Sequence, residues 1–260
     1  GGVGFSELWS PGELTAMAHY VDLHAHYLPA LDDGATELAM SVTMVKAVAS
    51  LGFSDLFATP HQRLDLYMPE RAAIDSAHRL LERTLAESGS PVRLGLGAEN
   101  FWDDVFHARA RQNAMPSYDG GPAFLFEVNP QMMPPGIEHQ LFDFRTAGRL
   151  PVLAHPERYM AVQRDPAVAE KLGRTAALLI DLGALDGAHG KQEMKTARRL
   201  ILDGLAHAAA SDLHRPDDAA PVAAGMDWIR KQCGQAILDR LLDENPRRIL
   251  AGELPEPPTP

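Results

Sequence analysis

Five histidines and three acids in this chain have the types and spacing of ligands for more than one metal ion. His24 and His26 are separated by Ala25 alone, so on an extended strand both imidazoles face the same side and can clamp one cation. Asp212 and His214 repeat that spacing around Leu213. His61, Glu99, Glu127 and His155 each stand at or just past the end of a short apolar run, and a further run ends at Asp181. Any one of them could be a solvated side chain at a strand exit. A random set of exits, however, should carry turn-formers such as Gly, Asn and Ser rather than this run of imidazoles and carboxylates. Nitrogen and carboxylate oxygen together suit divalent cations, whose chemistry is to activate water and stabilise developing negative charge.

Residues spread over nearly two hundred positions meet only if the fold gathers them. Seven apolar runs, starting near Val21, Phe53, Val92, Ala123, Val152, Ala176 and Ala206, alternate with amphipathic stretches long enough to cross over a sheet. That pattern predicts an α/β fold, a distorted TIM-like (β/α)7 barrel, in which the carboxyl ends of the strands converge on one rim. An open doubly wound sheet is the alternative. Gly52, Gly148, Gly173 and Gly204 sit where helix C-caps belong. The organisation expected is an irregular extension over residues 1–16, one catalytic domain over 17–252 and a disordered Pro-rich tail over 253–260.

At 260 residues the chain can bury a full-size core. It has no signal-peptide pattern and no apolar stretch near the roughly 20 residues needed to span a bilayer, so the expectation is a cytoplasmic protein without membrane insertion. A formal net charge of −11 argues against a nucleic-acid partner, and an anionic substrate would have to be drawn by local positive charge, which metal would supply. The single Cys233 lies in a helical stretch lacking the cationic neighbours of a thiol nucleophile. The other histidines, His19, His78, His107, His139, His189 and His207, read as surface or packing residues.

From about Tyr20 to Leu250 the sequence resembles the polymerase and histidinol phosphatase (PHP) superfamily, most closely the bacterial metal-dependent protein-tyrosine phosphatases of capsule and exopolysaccharide operons. The resemblance rests on Asp22-Leu23-His24-Ala25-His26, Leu31-Asp32-Asp33-Gly34, Ala58-Thr59-Pro60-His61, Gly97-Ala98-Glu99, Phe126-Glu127, Ala154-His155-Pro156-Glu157-Arg158-Tyr159 and Ala210-Ser211-Asp212-Leu213-His214, in family order. It implies three divalent ions, manganese first, with iron or zinc as alternatives. Carried over, the first would take His24, His26, Glu99 and Asp212; the second Glu99, Glu127 and His155; the third Asp33, His61 and His214. Arg158 resembles the family's phosphate-gripping arginine, expected to act on turnover without supporting stability. Asp33, His61 and His214 join it as catalytic candidates, and Arg63, Arg215 and Tyr67 as substrate contacts. The implied reaction is hydrolysis of phosphotyrosine by a metal-bridging hydroxide, on a protein substrate such as a bacterial tyrosine kinase. Four ligand carboxylates against three divalent ions leave such a site near +2, which suits a phosphate.

The sequence departs from the family at Gln62, where a basic residue often stands, at Asp181 and Ala184, where Asn and Ser are frequent, and at Arg215, which relatives place farther along. These positions bear on substrate rather than on metal. Three alternatives therefore stand: a histidinol-phosphate or other small-molecule phosphatase, an amidohydrolase, for which Lys would be expected at Glu127, and a non-enzymatic metal-binding regulatory module.

Overall fold

The computed structural model describes residues 19–260, so the extension expected over 1–16 lies outside the described residues. Nine strands stand among the helices there: β1 (Tyr20–Ala25), β2 (Phe53–Ala58), β3 (His61–Gln62), β4 (Arg93–Leu96), β5 (Glu99–Phe101), β6 (Ala123–Glu127), β7 (Leu150–Ala154), β8 (Ala177–Asp181) and β9 (Ala208–Ala210). Every ladder is parallel, and the strands fall into two sheets, β1-β2-β4 and β3-β5-β6-β7-β8-β9.

The division comes from two matched breaks. β2 and β3 belong to one predicted run interrupted at Thr59-Pro60, where proline has no N–H to give the ladder. β4 and β5 belong to another, interrupted at Gly97-Ala98. Because β2 pairs with β4 and β3 with β5, the two broken runs stay neighbours through the kink. A Cβ on Gly97 would lie 2.9 Å from the Tyr118 ring, so only glycine passes there without displacement. His61 and Glu99 are the first residues past these breaks, paired with each other at the start of β3 and β5.

At the other side, Ala25 bridges Leu213, His26 N–H donates to Leu213 O (2.9 Å) and Asp212 N–H to His24 O (2.8 Å). The buried Asp22 carboxylate reinforces this seam by accepting the Ser211 hydroxyl (2.6 Å) and the Ser211 N–H (2.9 Å). The result is the distorted TIM-like (β/α)7 arrangement, with regular pairing giving way at the kinks and the seam.

β1, β6, β7, β8 and β9 are buried along their whole length, as parallel strands covered on both faces must be. Alternation divides their side chains. Val21, Leu23, Phe57, Leu125, Val152 and Leu179 belong to one cluster, while Leu56, Phe124, Phe126, Leu153, Leu178 and Ile180 join the helices in a larger one. The ligand candidates sit past this packed plug, at the strand ends.

Gly52, Gly148 and Gly204 follow helices with φ of 102°, 75° and 64°, as helix stops should. Gly173 instead closes the helix Pro166–Gly173 without a left-handed turn; a Cβ there would come within 3.1 Å of His207 Cε1, so glycine serves close packing. The Pro-rich tail is also ordered, against expectation. Pro255 and Pro258 are buried, Leu254 packs on the smaller apolar cluster, and the Arg240 and Asn245 side chains donate to Glu256 O (3.2 and 3.3 Å). The prolines there have no N–H needing a partner, and side chains from the preceding helices satisfy a carbonyl.

His207 gives this packing a pH signature. It is buried, its Nδ1 accepts the Leu178 N–H (3.1 Å), and burial pushes its pKa down to about 4. The folded ring stays neutral, whereas an unfolded histidine titrates near 6.5. Its contribution is therefore intact above about pH 6.5 and is lost as pH falls towards 4, about 3 kcal/mol in all. Urea unfolding of metal-free protein between pH 7 and 4 should show that loss. His207→Asn, whose amide oxygen can take the same N–H, should remove this part of the slope; an unchanged slope would refute the assignment.

Candidate metal centre

The kinks and strand ends bring all nine ligand candidates together. His24 Nε2 and His26 Nε2, side by side at the end of β1, lie 3.1 Å apart. Both face Glu99 Oε2 (3.3 and 3.4 Å) and Asp212 Oδ1 (3.2 and 3.6 Å). His61 places Nδ1 3.0 Å from Glu99 Oε2 and Nε2 3.3 Å from Asp33 Oδ1, and His214 Nε2 approaches the same Asp33 oxygen at 3.5 Å. His155 Nε2 lies 2.8 Å from Glu99 Oε1 and 3.9 Å from Glu127 Oε2. Glu99 is thus the hub.

Among the described residues the donors fall into overlapping groups: His26, Asp33, His61 and His214; His24, His155 and Asp212; His24, His26 and Glu99; and His61, Glu99 and Glu127. The sharing differs in detail from the division implied by the resemblance, since His26 also reaches the Asp33 group and His61 also reaches Glu127.

The donor set fits cations better than it fits itself. Two imidazole nitrogens face each other across 3.1 Å, and His61 Nδ1, buried and 3.0 Å from a carboxylate oxygen, makes no hydrogen bond to it. Lone pairs converging with poor mutual geometry are what a shared positive ion satisfies. Asp32 completes the arrangement: its Oδ2 accepts from His26 Nδ1 (2.8 Å) and from the His61 N–H (3.1 Å), fixing the ring so that Nε2 faces inward. The loop allows this because a Cβ on Gly34 would collide with His26 O at 1.9 Å. The role of Asp32 was not read from the sequence, where it counted only as part of a motif.

Without ions, protons take the cationic part. Burial opposes charge on His61 and His214, yet Glu99 and Asp33 carry His61 up to about 12, and Asp33 with Asp212 carries His214 up to about 9. Burial, then the neighbouring charge of Glu99, pushes Glu127 up to about 8. Against the same burial, His24 and other histidines hold Glu99 well below the usual carboxylate range. His155 and Asp212 take left-handed backbone conformations, φ 35° and 47°, which is where the chain turns these two side chains into the cup.

Beside the cluster, Arg158 Nη2 donates to Asp181 Oδ2 (2.6 Å) and Asp212 Oδ2 (2.5 Å) and lies 3.1 Å from His189 Nε2. Asp181, His189 and Asp212 form another group with metal-binding geometry, but the guanidinium already sits among them. Two carboxylates raise the Arg158 pKa despite burial, so this arginine is structural as well as cationic. His189 is exposed, as its reading as a surface residue has it, yet it has a partner as well: its Nε2 lies 2.6 Å from Asp181 Oδ2 and the residue lines a cavity beside the cluster. Its loop position, off any strand end, hid it; the Asp-Gly-Ala-His-Gly turn was the available signal.

The substrate candidates ring the site. Tyr67 stacks on His61 (centroids 5.8 Å apart, 17° between planes), Arg63 lies over the Phe101 ring at 4.2 Å, and the exposed Arg215 lines the cavity with His189. Gln62 is buried and accepts from Arg109 (2.8 Å), bringing a different arginine to the place where a basic residue is frequent.

A TIM-like parallel α/β fold with an imidazole–carboxylate cluster at its strand ends defines a class of metallohydrolase architecture, and within it this chain belongs to the CpsB/CapC family of capsular polysaccharide synthesis, whose family model matches residues 20–251. The tyrosine-protein phosphatase YwqE of Bacillus subtilis is 33% identical over 196 residues, 75% of this chain and 77% of that protein. The tyrosine-protein phosphatase CpsB of Streptococcus agalactiae is 21% identical over 238 residues, 88% of this chain and 98% of that protein. A solved structure from work on YwqE of Bacillus subtilis and CpsB of Streptococcus pneumoniae, described as metal-dependent tyrosine phosphatases, superposes with a TM-score of 0.77 at 28% identity, over 92% of this chain and all of that one. An organophosphorus hydrolase from Deinococcus radiodurans, at 12% identity and a TM-score of 0.53, covering 89% of this chain and 92% of that one, shares the fold alone.

Proposed function

We propose that this chain is a metal-dependent protein-tyrosine phosphatase of capsule or exopolysaccharide synthesis, acting in the cytoplasm on a phosphotyrosine protein such as a bacterial tyrosine kinase. The observation that carries the reading is the convergence of five imidazoles with Asp33, Glu127 and Asp212 around the buried Glu99 carboxylate. Family membership and the names of the relatives support the substrate class. In this reading His24, His26, Asp33, His61, Glu99, Glu127, His155, Asp212 and His214 hold three divalent cations, manganese first, with iron or zinc as alternatives. Such ions, when bound, lower the pKa of water towards neutrality and neutralise phosphoryl charge.

The chain's own residues do the rest. Asp32 orients His26; Asp181 and Asp212 hold the Arg158 guanidinium where it can take phosphoryl oxygens; Arg63, Tyr67 and Arg215 receive the peptide at the rim. No thiol step is needed, and burial pushes the Cys233 pKa up, away from the reactive thiolate. No described helix is long and apolar enough to cross a membrane.

The test compares kcat/KM on a phosphotyrosine peptide, a phosphoserine peptide and histidinol phosphate. Phosphotyrosine should lead, because a phenolate of pKa about 10 leaves more readily than an alkoxide. Activity should vanish with chelator, return with manganese and survive thiol alkylation. A preference for histidinol phosphate would reassign the chain to small-molecule phosphomonoesters, and loss on alkylation would overturn the mechanism.

A further inference from the structure

A cavity of about 260 Å³ opens beside the cluster, lined by Asp33, Asp181, His189, Asp212, His214 and Arg215 among others. His189 is the histidine of that lining that stands outside the nine proposed ligands. Its placement is built. Gly187 and Gly190, with φ of 89° and 121°, bracket the turn, and Ala188 N–H donates to Gly183 O (3.2 Å) and Gly190 N–H to Gly187 O (3.1 Å). Asp181 stands behind the ring. Its Oδ2 lies 2.6 Å from His189 Nε2, while its Oδ1 is fixed by the Gly183 N–H at 2.7 Å. With Nε2 engaged, Nδ1 is the ring atom left for the cavity. An imidazole backed by a buried carboxylate is an established way to orient a proton donor and stabilise its charged form.

From this geometry we propose that His189, held by Asp181, is a catalytic residue that protonates the leaving oxygen. The proposal rests on the phosphomonoesterase reading above. A water oxygen bonds to phosphorus as the bond from phosphorus to the aryl oxygen breaks. The aryl oxygen keeps that electron pair and takes the proton from His189, giving tyrosine and inorganic phosphate; the proton lost by water goes to solvent, from which His189 is recharged. Asp33, Asp212, Asp218, His214 and Arg215 line the same cavity, and Arg158 Nη2 lies 3.1 Å from His189 Nε2. Asp181 serves as the positioning residue.

The experiment is a leaving-group series on manganese-loaded protein: phenyl phosphate, a nitro-activated aryl phosphate and phosphotyrosine peptide, with wild type, His189→Ala and His189→Gln. Gln can still donate to Asp181 but cannot transfer a proton, which covers the case in which the alanine variant folds poorly. Both variants should lose about 10²-fold in kcat/KM on phenyl phosphate and phosphotyrosine, and little on the nitro-activated ester, whose oxygen needs no proton. Metal content, and inhibition by inorganic phosphate, should stay at wild-type values. An equal loss across the series, no loss at all, or a loss of metal would overturn the role of His189. If wild type hydrolyses none of the esters, the phosphatase reading falls first, which is a separable result.

Discussion

Glu99→Ala is expected to abolish phosphatase activity, with a loss of at least about 10³-fold, and to strip the protein of more than one equivalent of metal. Each Glu99 oxygen faces imidazole: Oε2 lies 3.0–3.4 Å from His61, His24 and His26, and Oε1 lies 2.8 Å from His155. In the proposed site this carboxylate is the anion that neighbouring cations share, so its removal weakens ligation and exposes them to one another's charge. Metal-ion catalysis supplies several kcal/mol of transition-state stabilisation, and about 1.4 kcal/mol is a factor of ten in rate. Glu99→Gln keeps the shape and removes the charge, and it should fail nearly as badly. Elemental analysis after loading with manganese, beside kcat/KM, checks both. Full metal content with activity within tenfold of wild type would exclude Glu99 as the shared ligand.

The second large effect is expected at Arg158, and it is a double one. The resemblance alone implies a phosphate contact whose loss spares the fold. Instead, Arg158 neutralises two buried carboxylates, Asp181 and Asp212, at 2.6 and 2.5 Å. Arg158→Ala should therefore lower turnover by about 10²-fold, the scale of one positioned electrostatic donor. It should also destabilise the metal-free protein by about 3 kcal/mol, the usual consequence of leaving buried charge uncompensated. Lysine should restore part of the stability but little of the rate, because an ammonium lacks the guanidinium fork. Chemical denaturation and single-turnover rates separate the two losses. If Asp181→Asn in the alanine background recovered stability without activity, the structural and catalytic roles would be resolved independently.

The succession of strands and eight of the nine converging donors were legible because strand alternation and apolar runs are local properties of the chain, whereas Asp33 came only through the family resemblance. His24 and His26 declare themselves by same-face spacing, and Glu127 and His155 by ending runs that burial makes uniformly apolar. The split of β2 from β3 could be anticipated at Pro60, but its partner break at Gly97 depends on the Tyr118 ring, which approaches from elsewhere in the chain. Asp32 and His189 were not singled out for a related reason. Asp32 meets His26 and the His61 N–H, six and 29 residues away, and His189 meets Asp181 and Arg158, eight and 31 residues away, and periodicity carries no record of such contacts. The tail misled because Pro-rich composition describes an unpartnered chain, whereas Arg240 and Asn245 provide partners.

The left-handed backbones at His155 and Asp212 set selection for heat resistance against selection for catalysis. A non-glycine residue there costs of order 1–3 kcal/mol, a sizeable share of the 5–15 kcal/mol by which a domain stays folded. Glycine would relieve that local cost, yet it carries neither imidazole nor carboxylate. A lineage chosen only for surviving heat has an incentive to abandon these two side chains, whereas one chosen for turnover must keep them and seek its stability elsewhere in the fold.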